Sequence, residues 1–198
     1  MKTVKQLMLL MVLILLGSVA YSQVGIRVGV NLANQKFESQ GITVEPSSIL
    51  GLNAAVVYNI EVSELFSVQP ELHFIQKGSQ IEIPPLGDFK TTGNYLELAV
   101  AAKFNVVKFG ESDKVYVAVT PSAGYLLSAK TKVGDESEDY EFTDDDNRID
   151  FGIGLGAGVQ FAGVFLDVRY NIGLANLTKV DDSSVKNNGI LIGLGYMF

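Results

Sequence analysis

The amino-acid sequence predicts an all-β protein whose strands form an eight-stranded antiparallel up-and-down barrel. Apolar residues recur with a period of two in eight segments, and the i, i+3, i+4 spacing of helices is absent after residue 22. Long and short connections alternate between the segments, as in a barrel whose successive turns lie at opposite ends. The alternating segments are residues 24–33, 49–60, 65–77, 94–107, 114–129, 149–161, 164–177 and 188–198.

The first element is a predicted secretory signal peptide, residues 1–22. Two lysines precede an apolar run of ten residues, Leu7 to Leu16, and small residues follow it. The run is about half as long as a membrane-spanning helix, which matches a cleaved signal rather than an anchor. Cleavage is expected after Ala20 or Ser22, and the second position leaves residues 23–198 as a single β-barrel domain.

The composition excludes several kinds of partner and anchor. The chain has 15 Lys and Arg against 22 Asp and Glu, and removing the two signal-peptide lysines changes the net charge from −7 to −9. Such an acidic chain is not expected to bind nucleic acid. Because the chain contains no cysteine, it has neither a disulfide framework nor a lipid-anchored cysteine.

The length of the predicted strands indicates a bilayer. Most of them contain ten residues or more, whereas strands of soluble proteins contain about five or six. At roughly 3.3 Å per residue and a tilt near 45°, about eleven residues rise by about 25 Å, the height of the apolar band on an outer-membrane barrel.

The connections predict the topology. Since successive turns lie at opposite ends of the barrel, the four long connections share one end and both termini share the other. Outer-membrane barrels have short periplasmic turns and long extracellular loops, so the termini are expected to be periplasmic. The long connections are residues 34–48, 78–93, 130–148 and 178–187, and the short ones are residues 61–64, 108–113 and 162–163.

The two faces of the strands distinguish a membrane barrel from a soluble one. In "FGIGLGAGVQF" (151–161) bulky apolar residues alternate with glycines, and "GILIGLGYMF" (189–198) repeats the pattern. A soluble secreted lipocalin-like lipid binder would turn its apolar face inward and a polar face to water. A narrow membrane barrel instead needs small residues in its crowded interior. The glycines therefore favour a transmembrane β-barrel whose bulky face meets outer-membrane lipid.

If the bulky apolar face meets lipid, the charged residues of the strands face the interior. Both signs occur in nearly equal number, and buried charges persist when they are paired and hydrogen-bonded. We therefore expect a salt-bridge network that fills the lumen, with a narrow pore or small-molecule channel as the alternative. The predicted network comprises Arg27, Glu71, His73, Lys77, Glu97, Lys103, Asp150, Asp167 and Arg169.

Pro70 and Pro121 also lie inside predicted strands, where a local bulge is expected to accommodate each proline.

Seven stretches resemble a known family in their order along almost the whole mature chain. The stretches are "GIRVGVNLAN" (25–34), "SVQPELHFIQKG" (67–78), "NYLELAVAAKF" (94–104), "PSAGYLL" (121–127), "IDFGIGLGAGV" (149–159), "VRYNIGLANL" (168–177) and "NNGILIGLGYMF" (187–198). Together they resemble the outer-membrane β-barrel family common in the Bacteroidetes, known as porin-family or PorT-like. The resemblance brings no catalytic residues. It implies that Phe198 is the C-terminal aromatic that the barrel-insertion machinery reads.

His73, the only histidine, is the candidate for a catalytic residue. Glu71 and Ser67 lie on the same strand face, but same-face neighbours on a strand are roughly 7 Å apart, so Ser67 and His73 are not expected to touch. We therefore expect His73 to be a structural member of the network, and we expect no enzyme activity and no cofactor. An outer-membrane enzyme is the alternative from another class.

The segment "DESEDYEFTDDD" (135–146) contains eight carboxylates. Calcium takes six to eight oxygen ligands, but the spacing of an EF-hand loop is absent, which makes Asp144, Asp145 and Asp146 only weak candidates for a metal site. Because the carboxylates repel one another, a solvated and mobile loop is expected.

The sequence thus predicts a small OmpX-like outer-membrane protein that acts, beyond membrane structure, through its long loops or an extracellular or membrane-protein partner that binds there.

Overall fold

The computed structural model describes residues 24–39, 41–44, 46–83, 87–110, 113–134, 136–143, 147–180 and 182–198. The predicted signal peptide lies outside the described residues. The strands are β1 (Val24–Ser39), β2 (Ile42–Val44), β3 (Ile49–Tyr58), β4 (Ile60–Glu61), β5 (Phe66–Ile83), β6 (Gly87–Lys108), β7 (Lys114–Val133), β8 (Glu136–Asp139), β9 (Ile149–Phe161), β10 (Val164–Gly173) and β11 (Ser183–Met197).

Eight of these strands form a closed antiparallel ring in the order β1, β3, β5, β6, β7, β9, β10, β11. The first and last strands close it, in a ladder that runs from Gly25 opposite Met197 to Ser39 opposite Ser183. The short strands β2, β4 and β8 extend the pairing of β1, β5 and β7. Because every ring strand pairs with the ring strands before and after it in the chain, the predicted eight-stranded up-and-down barrel is confirmed. In the described ranges, no helix is long and apolar enough to cross a membrane.

The bulky apolar face points outward. Val28 is 60% exposed and Leu98 is 65% exposed, and the same alternation continues around the ring. The charged side chains of the predicted network point inward instead, and Arg27 is 1% exposed. An outer surface of this kind fits lipid and not water, so the soluble lipocalin-like alternative is wrong.

The inward-facing glycines leave room for large neighbours. A Cβ atom on Gly158 would lie 2.5 Å from Cζ of Tyr116, and one on Gly193 would lie 2.5 Å from Cδ of Arg27. These distances are far below van der Waals contact. The glycine rows are therefore required because side chains from neighbouring strands occupy the space above them.

Several strands continue beyond the predicted ends, on the side of the long connections. β5 and β6 remain paired from Gly78 opposite Thr92 to Ile83 opposite Gly87, so much of the predicted long loop 78–93 is a β-hairpin. β1, β7 and β11 are extended in the same way, whereas β10 ends at Gly173, earlier than predicted. The alternation of apolar residues stops where the strands no longer face lipid. The backbone hydrogen bonds between strands do not depend on this alternation, so the strands continue beyond it.

The prolines are accommodated without a bulge, so that expectation was wrong. Pro70 pairs with Val100 of β6 and lies in a gap between the β3 and β4 ladders on its other side. At Pro121 the β6–β7 ladder skips from Ala99 opposite Ser122 to Ala102 opposite Val119 in unchanged register. Each proline thus occupies a position where a ladder hydrogen bond is absent.

A register shift does occur elsewhere in the β6–β7 ladder. Asn94 pairs with Ser128, but Tyr95 pairs with Leu126, so Leu127 is an extra residue on β7. Such a bulge changes the face to which the following side chains point. As a result Leu126 and Ala129 both face the interior, near the end of the barrel that carries the long connections.

Candidate functional site in the barrel interior

The middle of the interior contains four charged side chains joined by short hydrogen bonds. Arg27 donates from Nη1 to Oδ2 of Asp167 and from Nη2 to Oε2 of Glu71, at 2.8 Å each. Arg169 donates to both oxygens of Glu71, at 3.0 and 3.2 Å. The side chains are at most 5% exposed. One carboxylate therefore receives both guanidinium groups, in the charge-assisted and partly bidentate geometry that makes such bonds strong.

His73 contacts the same carboxylate. Its Nε2 lies 2.7 Å from Oε2 of Glu71, and its Nδ1 lies 3.0 Å from Nδ2 of Asn53. Because the Asn53 amide nitrogen can only donate, Nδ1 accepts this bond and Nε2 donates to Glu71. The hydroxyl of Ser67 is buried without a hydrogen-bond partner among the described residues. The structure thus brings His73 to Glu71 but not to Ser67.

A second charged group lies nearer the long connections. Nζ of Lys77 donates to Glu97 and to Oδ2 of Asp150, the latter at 2.9 Å. Nδ2 of Asn187 donates to the same Asp150 oxygen at 3.0 Å and to the Tyr95 hydroxyl at 3.2 Å. This group contains three of the predicted residues, but Asn187 and Tyr95 were missed. The period of two predicts that both side chains point inward, but it does not predict which side chains they contact.

Lys103 lies on the other side of the central group and has no carboxylate within ion-pair distance among the described residues. Its Nζ donates to the side-chain oxygen of Gln69, whose Nε2 donates in turn to Oε1 of Glu71 at 2.7 Å. The ammonium also lies 4.3 Å from the centre of the Tyr116 ring and 5.5 Å from that of Phe165. Ring faces attract a desolvated cation, so Lys103 is held by two rings and a neutral amide.

The interior at the end with short turns contains a small apolar cluster. Ala55, Val57, Phe165 and Met197 form a buried cluster there, and Phe165 is 1% exposed. Lys114, also buried, pairs at 2.9 Å with Glu61 at this end. None of these residues was predicted as part of the interior network, although the same period of two points them inward.

The acidic segment is more ordered than expected. Glu136–Asp139 forms β8 and pairs with residues 130–133 of β7, where Lys130 lies opposite Asp139. The expected loop is therefore a paired strand over Glu136–Asp139, where Lys130 of β7 faces Asp139, and the mobility of the segment stays a prediction. Asp144, Asp145 and Asp146 lie outside the described residues. No cluster of three or more potential metal ligands occurs among the residues that are described.

Tyr140 and Phe142 follow β8 and fold over the end of the barrel. Their rings meet edge to face with centroids 5.6 Å apart. The guanidinium of Arg148 lies 4.4 Å from the centre of the Phe142 ring and 4.9 Å from that of Tyr125. Arg148 also donates to the backbone oxygen of Leu126, at 2.7 and 3.0 Å. One arginine thus ties the acidic segment to β7 beside its bulge.

A cavity of about 300 Å³ lies beneath these two aromatic residues. Lys77 and Tyr95 of the second charged group border it, so it begins where the charged interior ends. Most of its wall is apolar and comes from β1, β7, β11, the acidic segment and the connection before β11. The apolar wall residues are Phe37, Leu126, Tyr140, Phe142, Leu177 and Val185.

Comparison with known proteins finds a matching family and similar solved structures. The sequence pattern of a family described as the outer membrane protein beta-barrel domain matches residues 14–179. Among solved structures, Ail, the attachment invasion locus protein of Yersinia pestis, is 22% identical over 89% of this chain and 99% of its own, with a TM-score of 0.46. Neisserial surface protein A is 16% identical over 88% of this chain and 97% of its own, also with a TM-score of 0.46. No curated protein matches the chain.

Proposed function

Because the chain belongs to the outer membrane protein β-barrel family, it is an integral outer-membrane protein, and we propose that it is a non-conducting barrel acting through its loop end. The loop end is defined here as the end that carries the long connections, with the extended β5–β6 and β7–β8 hairpins. In this proposal the barrel anchors and orients these hairpins, and an extracellular or membrane-protein partner binds to them.

The observation that carries the proposal is the contact between Arg169 and Glu71. These residues lie on β10 and β5, which are opposite each other in the ring, and Arg27 from β1 joins the same carboxylate. An ion pair across the full width of the lumen occupies space that a water path would need at that level, which supports a closed barrel. Breaking this ion pair would leave buried charges without partners, so we expect the network to remain intact in the folded barrel.

The apolar cluster at the turn end supports the same conclusion. Ions passing from the charged interior to that end would lose hydration against the side chains of Phe165 and Met197. A pore through the barrel would therefore need rearrangement at this cluster as well as at the charged group.

The remaining parts of the proposal concern topology and assembly. Residues 1–22 direct export, the termini face the periplasm, and the barrel is of the Bacteroidetes PorT-like type. Phe198 is the aromatic that the insertion machinery reads. In support, Phe198 is 58% exposed on the outer surface, and its backbone nitrogen donates to the Val24 oxygen at 2.8 Å, which aligns the chain end with the first strand.

Planar-bilayer recording of the refolded barrel tests the proposal. Folding is checked first from the change in gel migration on boiling. We expect no steady conductance from the parent protein. Stable open channels whose conductance changes in Arg27→Ser or Glu97→Gln would overturn the proposal in favour of a narrow pore, because both side chains would then line the ion path.

A further inference from the structure

The cavity at the loop end has the composition of a small-molecule site. Ligand pockets are concave, mostly apolar, and contain a few polar groups that orient the ligand, and their volumes begin near 300 Å³. This cavity has that volume, with aromatic and aliphatic walls. Apolar surface on the membrane side of the barrel has lipid as its partner, whereas this surface lines a concave space at the loop end.

The polar groups that border the cavity are largely satisfied by the protein. The Gln35 side chain donates to Asn187 at 3.0 Å and accepts from Ser79 at 2.9 Å. The Asn147 side chain donates to the backbone oxygen of Asn176 at 3.0 Å and accepts from the nitrogen of Ile149 at 3.1 Å. A ligand is therefore not required to complete these groups, and its affinity comes mainly from apolar burial.

The charge at the floor disfavours an ionic ligand of either sign. Lys77 is the charged group that borders the cavity, and its ammonium is already bound to Glu97 and Asp150. An anion would approach two carboxylates behind a neutralised lysine, and a cation would meet the ammonium first. Both would also lose hydration against apolar walls.

The Tyr95 hydroxyl is a possible hydrogen-bond donor at the boundary between the cavity and the charged interior. The Tyr95 hydroxyl oxygen accepts from Nδ2 of Asn187, and a phenol both accepts and donates. Because Tyr95 borders the cavity, we infer that its hydrogen is donated to an acceptor atom on a ligand bound there.

We propose that this cavity binds a small uncharged molecule with an aromatic or branched aliphatic body and one hydrogen-bond acceptor, such as a carbonyl, directed at Tyr95. This inference goes beyond the proposed function, which assigns no ligand. The site is a terminal pocket and not part of a conduction path, because its floor is the Lys77 group.

Backbone NMR of the isotope-labelled barrel in lipid nanodiscs tests the proposal, with the amides of Gly78 and Gly93 at the cavity wall as reporters. The probes are acetophenone, which has a carbonyl acceptor, ethylbenzene, which has the same shape without one, and the ions benzoate and phenylethylammonium. We expect saturable shifts at these glycines with acetophenone, weaker binding of ethylbenzene and no saturation with either ion.

Two variants separate binding in the cavity from partitioning into lipid. Ala129→Phe fills the cavity from its wall and should abolish saturation, whereas Leu127→Phe, on the outward face of the same strand, should bind as the parent does. Tyr95→Phe should weaken acetophenone roughly fivefold, the value of about one net hydrogen bond, and leave ethylbenzene unchanged.

Shifts that never saturate, or that persist in Ala129→Phe, would overturn the site. Preferred binding of either ion would overturn the proposed ligand class, and equal loss of both neutral probes in Tyr95→Phe would overturn the role of the hydroxyl. Because the readout is binding and not conductance, failure here is distinguishable from failure of the non-conducting barrel.

Discussion

Arg169 on β10 and Glu71 on β5 lie four strands apart in the eight-stranded ring, and their side chains meet across the lumen with Nη1 3.0 Å from Oε2. The same carboxylate receives Arg27, His73 and Gln69. A single buried side chain thus links strands on both sides of the barrel. Its contribution to the free energy of unfolding can be measured.

Glu71→Gln should lower the free energy of unfolding by about 3–5 kcal/mol, because it leaves two buried guanidinium groups without their shared charge. The measurement is urea unfolding in lipid vesicles, followed by gel migration. Glu38→Gln is the control, since Glu38 is an exposed partner of Lys36 at 2.6 Å and exposed pairs contribute little. Equal midpoints for Glu71→Gln and the parent would show that the network contributes no stability.

Val100→Arg should cost about 2–4 kcal/mol, because it places a charge near the middle of the lipid-facing surface of β6. Thr131→Arg is the comparison. Thr131 falls in the long connection predicted from the sequence, residues 130–148, but in the structure it lies within the β7–β8 ladder, opposite Glu138. That substitution should cost far less, because water and a carboxylate are near. A Val100→Arg barrel as stable as the parent in lipid would contradict the outward position of this side chain.

Gly158→Val should destabilise the barrel by about 1–3 kcal/mol, the usual effect of overpacking. A Cβ there would meet the Tyr116 ring at 2.5 Å and the backbone oxygen of Leu166 at 2.8 Å. Ala157→Val, one residue away on the outward face, should be close to neutral in the same unfolding measurement. Equal effects of the two substitutions would argue against the tightly filled interior at β9.

Arg148→Ala should expose the acidic segment to protease. The substitution removes contacts with two rings, each worth about 0.5–1 kcal/mol, so cleavage by a glutamate-specific protease on intact cells should be about tenfold faster. Arg148→Lys, which keeps the charge but loses the planar group, should fall between the parent and Arg148→Ala. Cleavage that requires a broken outer membrane would invert the proposed topology, and equal rates in all three proteins would leave Arg148 without an anchoring role.

The sequence by itself determined the strand number, the up-and-down order and the outward apolar face. The reason is that the side-chain period of a strand is two, so "FGIGLGAGVQF" assigns each residue to one face without reference to any partner. The same period predicted that charged residues such as Arg27 and Asp167 share the face opposite the bulky one. Strand ends were less predictable, because the alternation reflects contact with lipid while the ladder of β5 and β6 continues beyond it.

Only the tertiary structure decided which inward side chains meet. Arg169 reaches Glu71 and Lys77 reaches Asp150 because closure of the ring and the register of its strands bring distant segments to the same level, and neither quantity is encoded in a single strand. The bulge at Leu127 and the folding of Tyr140 and Phe142 over the barrel end were also beyond the alternation rule. A period of two assigns a face, but contacts across a lumen depend on the height and direction that the closed sheet gives each residue.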